Sequence, residues 1–268
     1  MIVDFDRWFE ENLAGARSFW FFPDYDGTLV ELAPTPEHVM PDPEVVALVS
    51  RLVALPDSCV GIVSGRRLDH LEKLVPVPGA LLAGTYGVEL CLPSGERVER
   101  VDHGAIRPVL DALKPGWQAL IEGREGFFLE DKGWSLALHA RFAADDQAGE
   151  VLAEARALAL DAIGEGGGST FRILGGHKFL ELGPRLAHKG KTVRYLLDRY
   201  PCSGARLIYL GDDDKDEEAF GVIQGQGGIA IVVGPEGKKT RADYRIESPR
   251  AVRQLLGVIL SRLEAEGG

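Results

Sequence analysis

Phe19-Trp20-Phe21-Phe22-Pro23-Asp24-Tyr25-Asp26-Gly27-Thr28-Leu29-Val30 decides how the rest of this chain is read. Four apolar residues lead into two aspartates one residue apart, and Gly27 supplies a turn. A short apolar run closed by turn residues predicts a fully buried strand. Asp24 and Asp26 then stand at its carboxyl end, which in an open α/β sheet is where ligands bind. Residues i and i+2 of a strand share a face, so the two carboxylates can converge. Carboxylates this close repel unless a cation or a shared proton intervenes. Mg2+ suits them, because it takes oxygen ligands, often one or two carboxylates together with substrate phosphate. A capped turn after a strand is the plainer reading, since Asp and Gly are ordinary turn residues.

The 268 residues allow one large domain or two of ordinary size, and 45% hydrophobic content is enough for a sizeable core. A formal charge of −11 argues against a nucleic-acid binder, which would carry basic stripes. It does not exclude a small anionic substrate, because a bound metal can reverse the local field. No apolar run is long enough to span a bilayer. The opening Met-Ile-Val-Asp-Phe-Asp lacks the regions of a secretory signal, so a cytoplasmic location is expected. Cys59, Cys91 and Cys202 are odd in number and far apart. They read as buried thiols in a reducing compartment.

Outward from the quoted stretch, residues 1–18 predict a short amphipathic helix with Trp8, Phe9 and Leu13 on one side, and 31–42 a proline-rich loop. Helix 43–55, strand 59–63, helix 67–74 and strand 80–83 follow, the alternation of βαβ units and a parallel sheet. The pattern then changes. Residues 114–126 read as a loop, 127–130, 135–141 and 170–174 as alternating strands, and 145–162 as a helix. From Lys189 the parallel pattern resumes, with helices 192–200 and 217–222, strands 206–210 and 228–233, and a last helix 249–265. The expected fold is α/β: a doubly wound, Rossmann-like parallel-sheet core interrupted by an inserted α+β domain of ordinary small-domain size. The expected boundaries are 1–102 and 183–268 for the core and 103–182 for the insertion. Linkers near 101–106 and 179–184 are expected to let the insertion open and close over the site.

Three further motifs carry chemistry. Ser64-Gly65-Arg66 follows a strand, and a hydroxyl with backbone N–H groups at a strand-to-helix turn can hold phosphate. Ser-Gly is also a common turn and N-cap. Asp212-Asp213-Asp214-Lys215-Asp216-Glu217-Glu218 places six acidic residues in seven positions after another strand. That is either a solvated helix start or the remaining oxygen ligands of a divalent cation. Lys189 opens a helix, an electrostatic mismatch that a nearby carboxylate or phosphate would offset. One reading joins these pieces. Asp24 attacks phosphorus to form an aspartyl-phosphate, and Asp26 protonates the leaving oxygen and later deprotonates water. Mg2+, Lys189, Ser64 and backbone amides hold the transferring phosphoryl oxygens.

In this order the four motifs resemble those of the haloacid dehalogenase superfamily of phosphatases: Asp24–Leu29 the nucleophile motif, Ser64–Arg66 the second, Lys189 the third, and Gly211–Phe220 the metal motif. The insertion is similar to that superfamily's C2-type α/β cap. A closer resemblance, over most of the chain, is to the trehalose-6-phosphate phosphatases. It rests on Gly84–Glu89, on Glu130-Asp131-Lys132 with Ser135, His139 and Arg141, on Glu181 ahead of Pro184, and on Lys189-Gly190. The resemblance implies Mg2+-dependent hydrolysis of trehalose 6-phosphate, and a monomer is expected. Asp24 would be nucleophile and metal ligand, and Asp26 acid/base with its carbonyl on the metal. Asp212 would be the third ligand, supported by Asp213 and Asp216. Ser64, Gly65 and Lys189 would hold phosphate. Arg66, Glu130, Lys132, His139, Arg141 and Glu181 would bind substrate. Tyr86, Ala140 and Gly183 depart from the family pattern, which has His, an aromatic and Arg there. These departures leave open a phosphatase of another glycosyl phosphate, such as glucosyl- or mannosyl-3-phosphoglycerate. A non-catalytic sugar-phosphate sensor on the same fold is the reading from another class, and retention of Asp24, Asp26, Lys189 and Asp212 argues against it.

Overall fold

The computed structural model describes residues 1–33, 39–176, 178–200, 204–237 and 239–266. Cys202 and part of the 31–42 loop lie outside the described residues. The chain forms two compact units, Met1–Val98 with His188–Gly268, and Glu99–Ala187.

The first unit is built on an eight-stranded sheet. Its strands in chain order are β1 (Phe19–Pro23), β2 (Cys59–Val63), β3 (Leu81–Gly84), β4 (Glu89–Cys91), β5 (Arg97–Glu99), and later β10 (Arg206–Gly211), β11 (Ile229–Val233) and β12 (Tyr244–Ile246). Across the sheet the order is β12-β11-β10-β1-β2-β3-β4-β5. Every pair from β12 to β3 is parallel, and β4 turns back antiparallel on β3. β1 is buried along its whole length because both faces are covered. Phe19 and Phe21 point into one apolar cluster with Ile208, Leu210, Ile229 and Ile231. Trp20 and Phe22 point into the other with Tyr209, Ala230 and Val232. Helices α1 (Phe5–Asn12), α2 (Pro43–Val53), α3 (Leu68–Leu74) and α8 (Pro249–Glu266) pack on the first face. Helices α6 (Lys189–Arg199) and α7 (Glu217–Gly225) pack on the second, so the core is doubly wound.

The second unit has an antiparallel sheet in the order β6-β7-β9-β8, made of β6 (Phe128–Asp131), β7 (Leu136–His139), β8 (Phe171–Gly176) and β9 (Phe179–Pro184). Helices α4 (His103–Ile121) and α5 (Asp145–Ile163) cover one face, where Leu136, Leu138, Leu180 and Leu182 meet Ile106, Leu110, Leu113 and Trp117. The register aligns Phe128, His139 and Phe179 in one row and Glu130, Ala137 and Glu181 in the next. By strand parity these rows lie on the face away from the two helices.

Four expectations are corrected here. Residues 114–126 are not a loop, because α4 runs to Ile121 with Pro108 and Pro115 inside it. Each proline removes one helical N–H. The helix survives on its buried stripe and on the indole of Trp117, which donates to the carbonyl of Ala155 at 2.9 Å. Residues 179–184 are not a linker but the strand β9, hydrogen-bonded on both sides. β7 ends at His139, so Arg141 lies exposed in the following turn and strand parity does not reach it. The thiols of Cys59 and Cys91 are half-buried, and neither is in a disulfide. Among the described residues no helix is long and apolar enough to cross a membrane.

Asp131 ties β6 to α4. It accepts from Arg107 Nη1 and Nη2 at 2.7 and 2.8 Å, from Lys114 Nζ at 2.8 Å and from the Gly133 amide at 2.9 Å. The Arg107 hydrogen bonds, more than any other cause, hold its carboxyl well below the usual range. A depressed folded-state pKa stabilises the fold above the unfolded value of about 3.9, and that contribution fades as pH falls through it. Asp131→Asn is therefore expected to cost about 1 kcal/mol at pH 7. In urea titrations the gap to the parent should stay constant from pH 7 to pH 5 and shrink below pH 4.

Candidate active site

β1 and β10 are neighbours, yet the sheet grows from β1 toward β2 and from β10 toward β11. Such a reversal opens a crevice beyond the carboxyl ends of the strands. Asp24 leaves β1 there, its amide donating to the carbonyl of Leu210 at 2.8 Å, and Asp212 leaves β10 beside it. Gly27 has φ +74, and a Cβ at that position would lie 2.3 Å from Asp212 Oδ2. The glycine after the two aspartates thus serves both the turn and the close approach of the second acidic loop.

Carboxylate oxygens of Asp24, Asp212 and Asp216 lie within 4.8 Å of one another. Lys189, 2% exposed, places Nζ 3.0 Å from Asp24 Oδ2 and 2.6 Å from Asp216 Oδ1. Asp216 is already well supplied with donors. Its Oδ1 also accepts from Tyr209 Oη at 2.7 Å, and its Oδ2 from the amides of Asp212 and Asp213 at 3.1 and 3.0 Å. Asp213 accepts from the Lys215 amide at 2.8 Å and pairs with Lys215 Nζ at 2.9 Å. Asp213 and Asp216 therefore shape the loop, and Asp216 holds Lys189.

The electrostatics follow from crowding. Burial pushes the Asp24 carboxyl well above its usual range; Lys189 opposes this, while Asp216, Asp212 and Asp213 add to it. Burial pushes Asp216 up to about 6 against the pull of Lys189. Burial would lower Lys189, but Asp216 and Asp24 outweigh it and raise the ammonium well above its ordinary value. For Asp213, burial is outweighed by Lys189 and Lys215, and its carboxyl sits below the usual range. Among the described contacts, Lys189 pairs with Asp24 and Asp216 and Lys215 with Asp213, so these two ammonium groups stand against four carboxyls once Asp212 is counted, a deficit of positive charge. An all-oxygen donor set with that deficit fits a hard divalent cation.

Ser64 is 1% exposed at the end of β2; its amide donates to Ala83 O at 2.9 Å and its Oγ accepts from the Arg66 amide at 3.1 Å. Gly65 follows, packed beneath the ring of Tyr86. Thr85 and Tyr86 both have positive φ, 48° and 55°, and the Tyr86 carbonyl accepts from Thr192 Oγ1 at 2.8 Å. Strain of this kind persists where surrounding packing over-determines it. Arg66 lies on Asp26: Nε reaches Oδ2 and Nη2 reaches Oδ1, both at 2.6 Å.

In the second unit, Glu130 Oε2 is 3.0 Å from His139 Nε2. The imidazole stacks on Phe128, centroids 4.2 Å apart, with Phe179 at 5.3 Å on a tilt. Lys132 and Glu181 are buried and paired at 3.2 Å, and Ser135 Oγ donates to Glu181 at 2.5 Å. The polar residues expected on this sheet thus group into two neighbouring clusters, without Arg141. Ser135, Phe128, Phe179 and Tyr209 belong to these constellations without having been singled out as site residues. Only Ser135 left a signal, its spacing from Lys132; the aromatic side chains read as ordinary strand residues.

The doubly wound core with its acidic crevice, and the separate antiparallel sheet with two helices, define a haloacid dehalogenase-like α/β fold. A sequence model described as trehalose-phosphatase matches residues 22–250. The chain belongs to the trehalose-phosphatase family. It is 35% identical over 265 residues to the trehalose-phosphate phosphatase of Mycobacterium marinum, covering 96% of this chain and 65% of that one. It therefore spans about two thirds of the length of that relative. It is 31% identical to a probable trehalose-phosphate phosphatase of Sinorhizobium fredii, covering 89% of this chain and 86% of that one. The C-terminal domain of the C. albicans trehalose-6-phosphate phosphatase superposes with a TM-score of 0.79 at 23% identity, over 92% of this chain and 94% of that domain.

Proposed function

We propose that this protein hydrolyses trehalose 6-phosphate to trehalose and phosphate, with Mg2+ as cofactor. The observation that carries the reading is the Asp24 carboxylate, buried against Lys189 and beside Asp212 at the switch point of a family fold. Asp24, the carbonyl of Asp26 and Asp212 would hold the cation, with Asp213 and Asp216 behind them. When bound, Mg2+ supplies positive charge to the phosphoryl oxygens and to the Asp24 carboxylate. Asp24 Oδ attacks phosphorus, a P–O bond to Asp24 forms, and the bond to the sugar oxygen breaks. Asp26 gives its proton to that sugar oxygen. A water then attacks the aspartyl-phosphate, Asp26 takes the water's proton, and the bond between phosphorus and Asp24 breaks. Lys189, Ser64 and the Gly65 amide hold the phosphoryl oxygens, where most of the stabilisation in phosphoryl transfer resides.

The same reading assigns the sugar to Glu130, Lys132, His139 and Glu181, and in the turn beyond β7 to Arg141. Charge-assisted hydrogen bonds to hydroxyls are the strong ones, and a disaccharide offers many. The test is phosphate release from a panel of sugar phosphates, trehalose 6-phosphate and glucosyl- and mannosyl-3-phosphoglycerate among them, with Mg2+ and with excess chelator. Release from trehalose 6-phosphate, abolished by chelator, is the expected result. Preference for another ester would reassign the substrate, and no release from any would reject the enzyme.

Lys132→Ala separates sugar binding from chemistry. Removing it takes the ammonium donor away from the sugar hydroxyls it would hold in the bound state, and an unsatisfied buried group costs about 1–3 kcal/mol. The expected loss in kcat/KM on trehalose 6-phosphate is about 5- to 100-fold. Hydrolysis of 4-nitrophenyl phosphate should change little. An equal loss on both esters would make Lys132 a residue of the fold alone.

A further inference from the structure

We propose that Arg66 is a positioning residue that holds the carboxylate of Asp26 for proton transfer, and that His70 holds Arg66 in turn. The inference rests on the phosphatase reading and assigns Arg66 a partner other than the sugar. Three sides of the guanidinium are committed. Nε and Nη2 donate to the two oxygens of Asp26 at 2.6 Å each, a fork-to-fork pair that fixes the plane of the carboxylate as well as its distance. Nη1 lies 3.2 Å from His70 Nδ1. The guanidinium carbon lies 5.9 Å from the centre of the Tyr25 ring, within cation–π range. The backbone is pinned as well, with the Arg66 amide on Ser64 Oγ at 3.1 Å and its carbonyl accepting from the Thr85 amide at 2.7 Å. Arg66 is 8% exposed, whereas the Asp26 side chain is 26% exposed. The buried end of the pair is the arginine, and the end open to a reacting ester is the acid.

His70 completes the arrangement. It is four residues beyond Arg66, on the first turn of α3, so the helix itself brings the imidazole back toward the guanidinium. Nη1 can only donate, so this contact requires Nδ1 to accept and the ring proton to sit on Nε2; burial, and then Arg66, hold His70 below its ordinary range and favour that neutral ring. A proton donor displaced by about 1 Å can lose about 10²-fold in rate, so the orientation of Asp26 is worth fixing from two directions.

The step that depends on Asp26 as an acid is departure of the sugar oxygen, and its importance grows as the leaving group becomes more basic. kcat/KM reports all steps through that first transfer. The experiment therefore measures kcat/KM for 4-nitrophenyl, phenyl and benzyl phosphate and for trehalose 6-phosphate, in the parent and in Arg66→Lys, Arg66→Met, His70→Leu and His70→Asn. Thermal melts check that each variant is folded. Arg66→Met is expected to lose about 10- to 100-fold on benzyl phosphate and less than about 3-fold on 4-nitrophenyl phosphate, a steeper dependence on leaving-group basicity. Arg66→Lys keeps charge but not the fork, and should fall in between. His70→Leu should steepen the dependence more mildly, and His70→Asn, whose Oδ1 can take the place of Nδ1, should restore most of it. An equal loss on every ester would overturn the proposal in favour of a structural role. A loss confined to trehalose 6-phosphate would overturn it in favour of a sugar contact. A parent inactive on all four esters would reject the phosphatase reading and the proposal together.

Discussion

Asp24→Asn is expected to abolish phosphate release from trehalose 6-phosphate, by at least about 10³-fold, while the protein melts no lower than the parent. The two halves of this result have one cause. Asp24 is a buried carboxylate pushed up first by burial and then by Asp216, Asp212 and Asp213. Lys189 stands 3.0 Å from it but is closer to Asp216, at 2.6 Å, so an amide at position 24 leaves the ammonium paired. Removing one charge from an overcrowded acidic cluster relieves repulsion, as active sites commonly trade stability for function. An amide is a poor nucleophile and a poorer metal ligand. Added Mg2+ should therefore raise the melting temperature of the parent more than that of the variant, because ligand binding to the native state stabilises it by mass action. Mass spectrometry before and after the assay excludes deamidation back to aspartate. Near-parental turnover by an Asp24→Asn variant verified in this way would rule out the covalent route.

The opposite behaviour is expected next door. Asp216→Ala should destabilise the protein by about 3–5 kcal/mol, the range for breaking a buried ion pair from one side. The deletion removes the shorter of Lys189's two carboxylate contacts, the acceptor for the Tyr209 hydroxyl, and the acceptor for the amides of Asp212 and Asp213. Gly211 shows how tightly this carboxylate is built in: a Cβ there would sit 2.1 Å from Asp216 Cγ. Urea denaturation without metal measures the loss. A cost below about 1 kcal/mol would mean that water or a rearranged Asp24 replaces Asp216, and that the network does not hold the loop. Because Asp216 is 0% exposed and Asp24 only 6%, these two substitutions at one cluster separate a group kept for chemistry from a group kept for structure.

Much of this was legible in the chain. β1 could be read because a strand buried on both faces needs no alternation, only a continuous apolar run of the right length. The acidic loop after β10 was legible because so many like charges in succession require an explanation. Helix α4 was not. Ile106, Leu110, Leu113 and Trp117 have helical spacing, but Pro108 and Pro115 interrupt it and carry the stronger local signal. β9 was hidden for a related reason, since it ends in Gly183-Pro184, a pair that reads as a break. Its order is set by β7 and β8 on either side, and cross-strand partners are not visible locally.

By itself, then, the sequence determined which segments must be buried and which acidic, hydroxyl and ammonium groups follow strands or open helices, because period and turn chemistry are local properties. Tertiary structure decided who meets whom. It joined Asp216 to Lys189 and Tyr209, and so made it a scaffold for the lysine. It laid Arg66 on Asp26, forty residues away in the chain. It placed His139 between Phe128 and Phe179 across three strands. Each of these pairings depends on strand order and register, which arise from packing two faces of a sheet at once and leave no mark on any single stretch of residues.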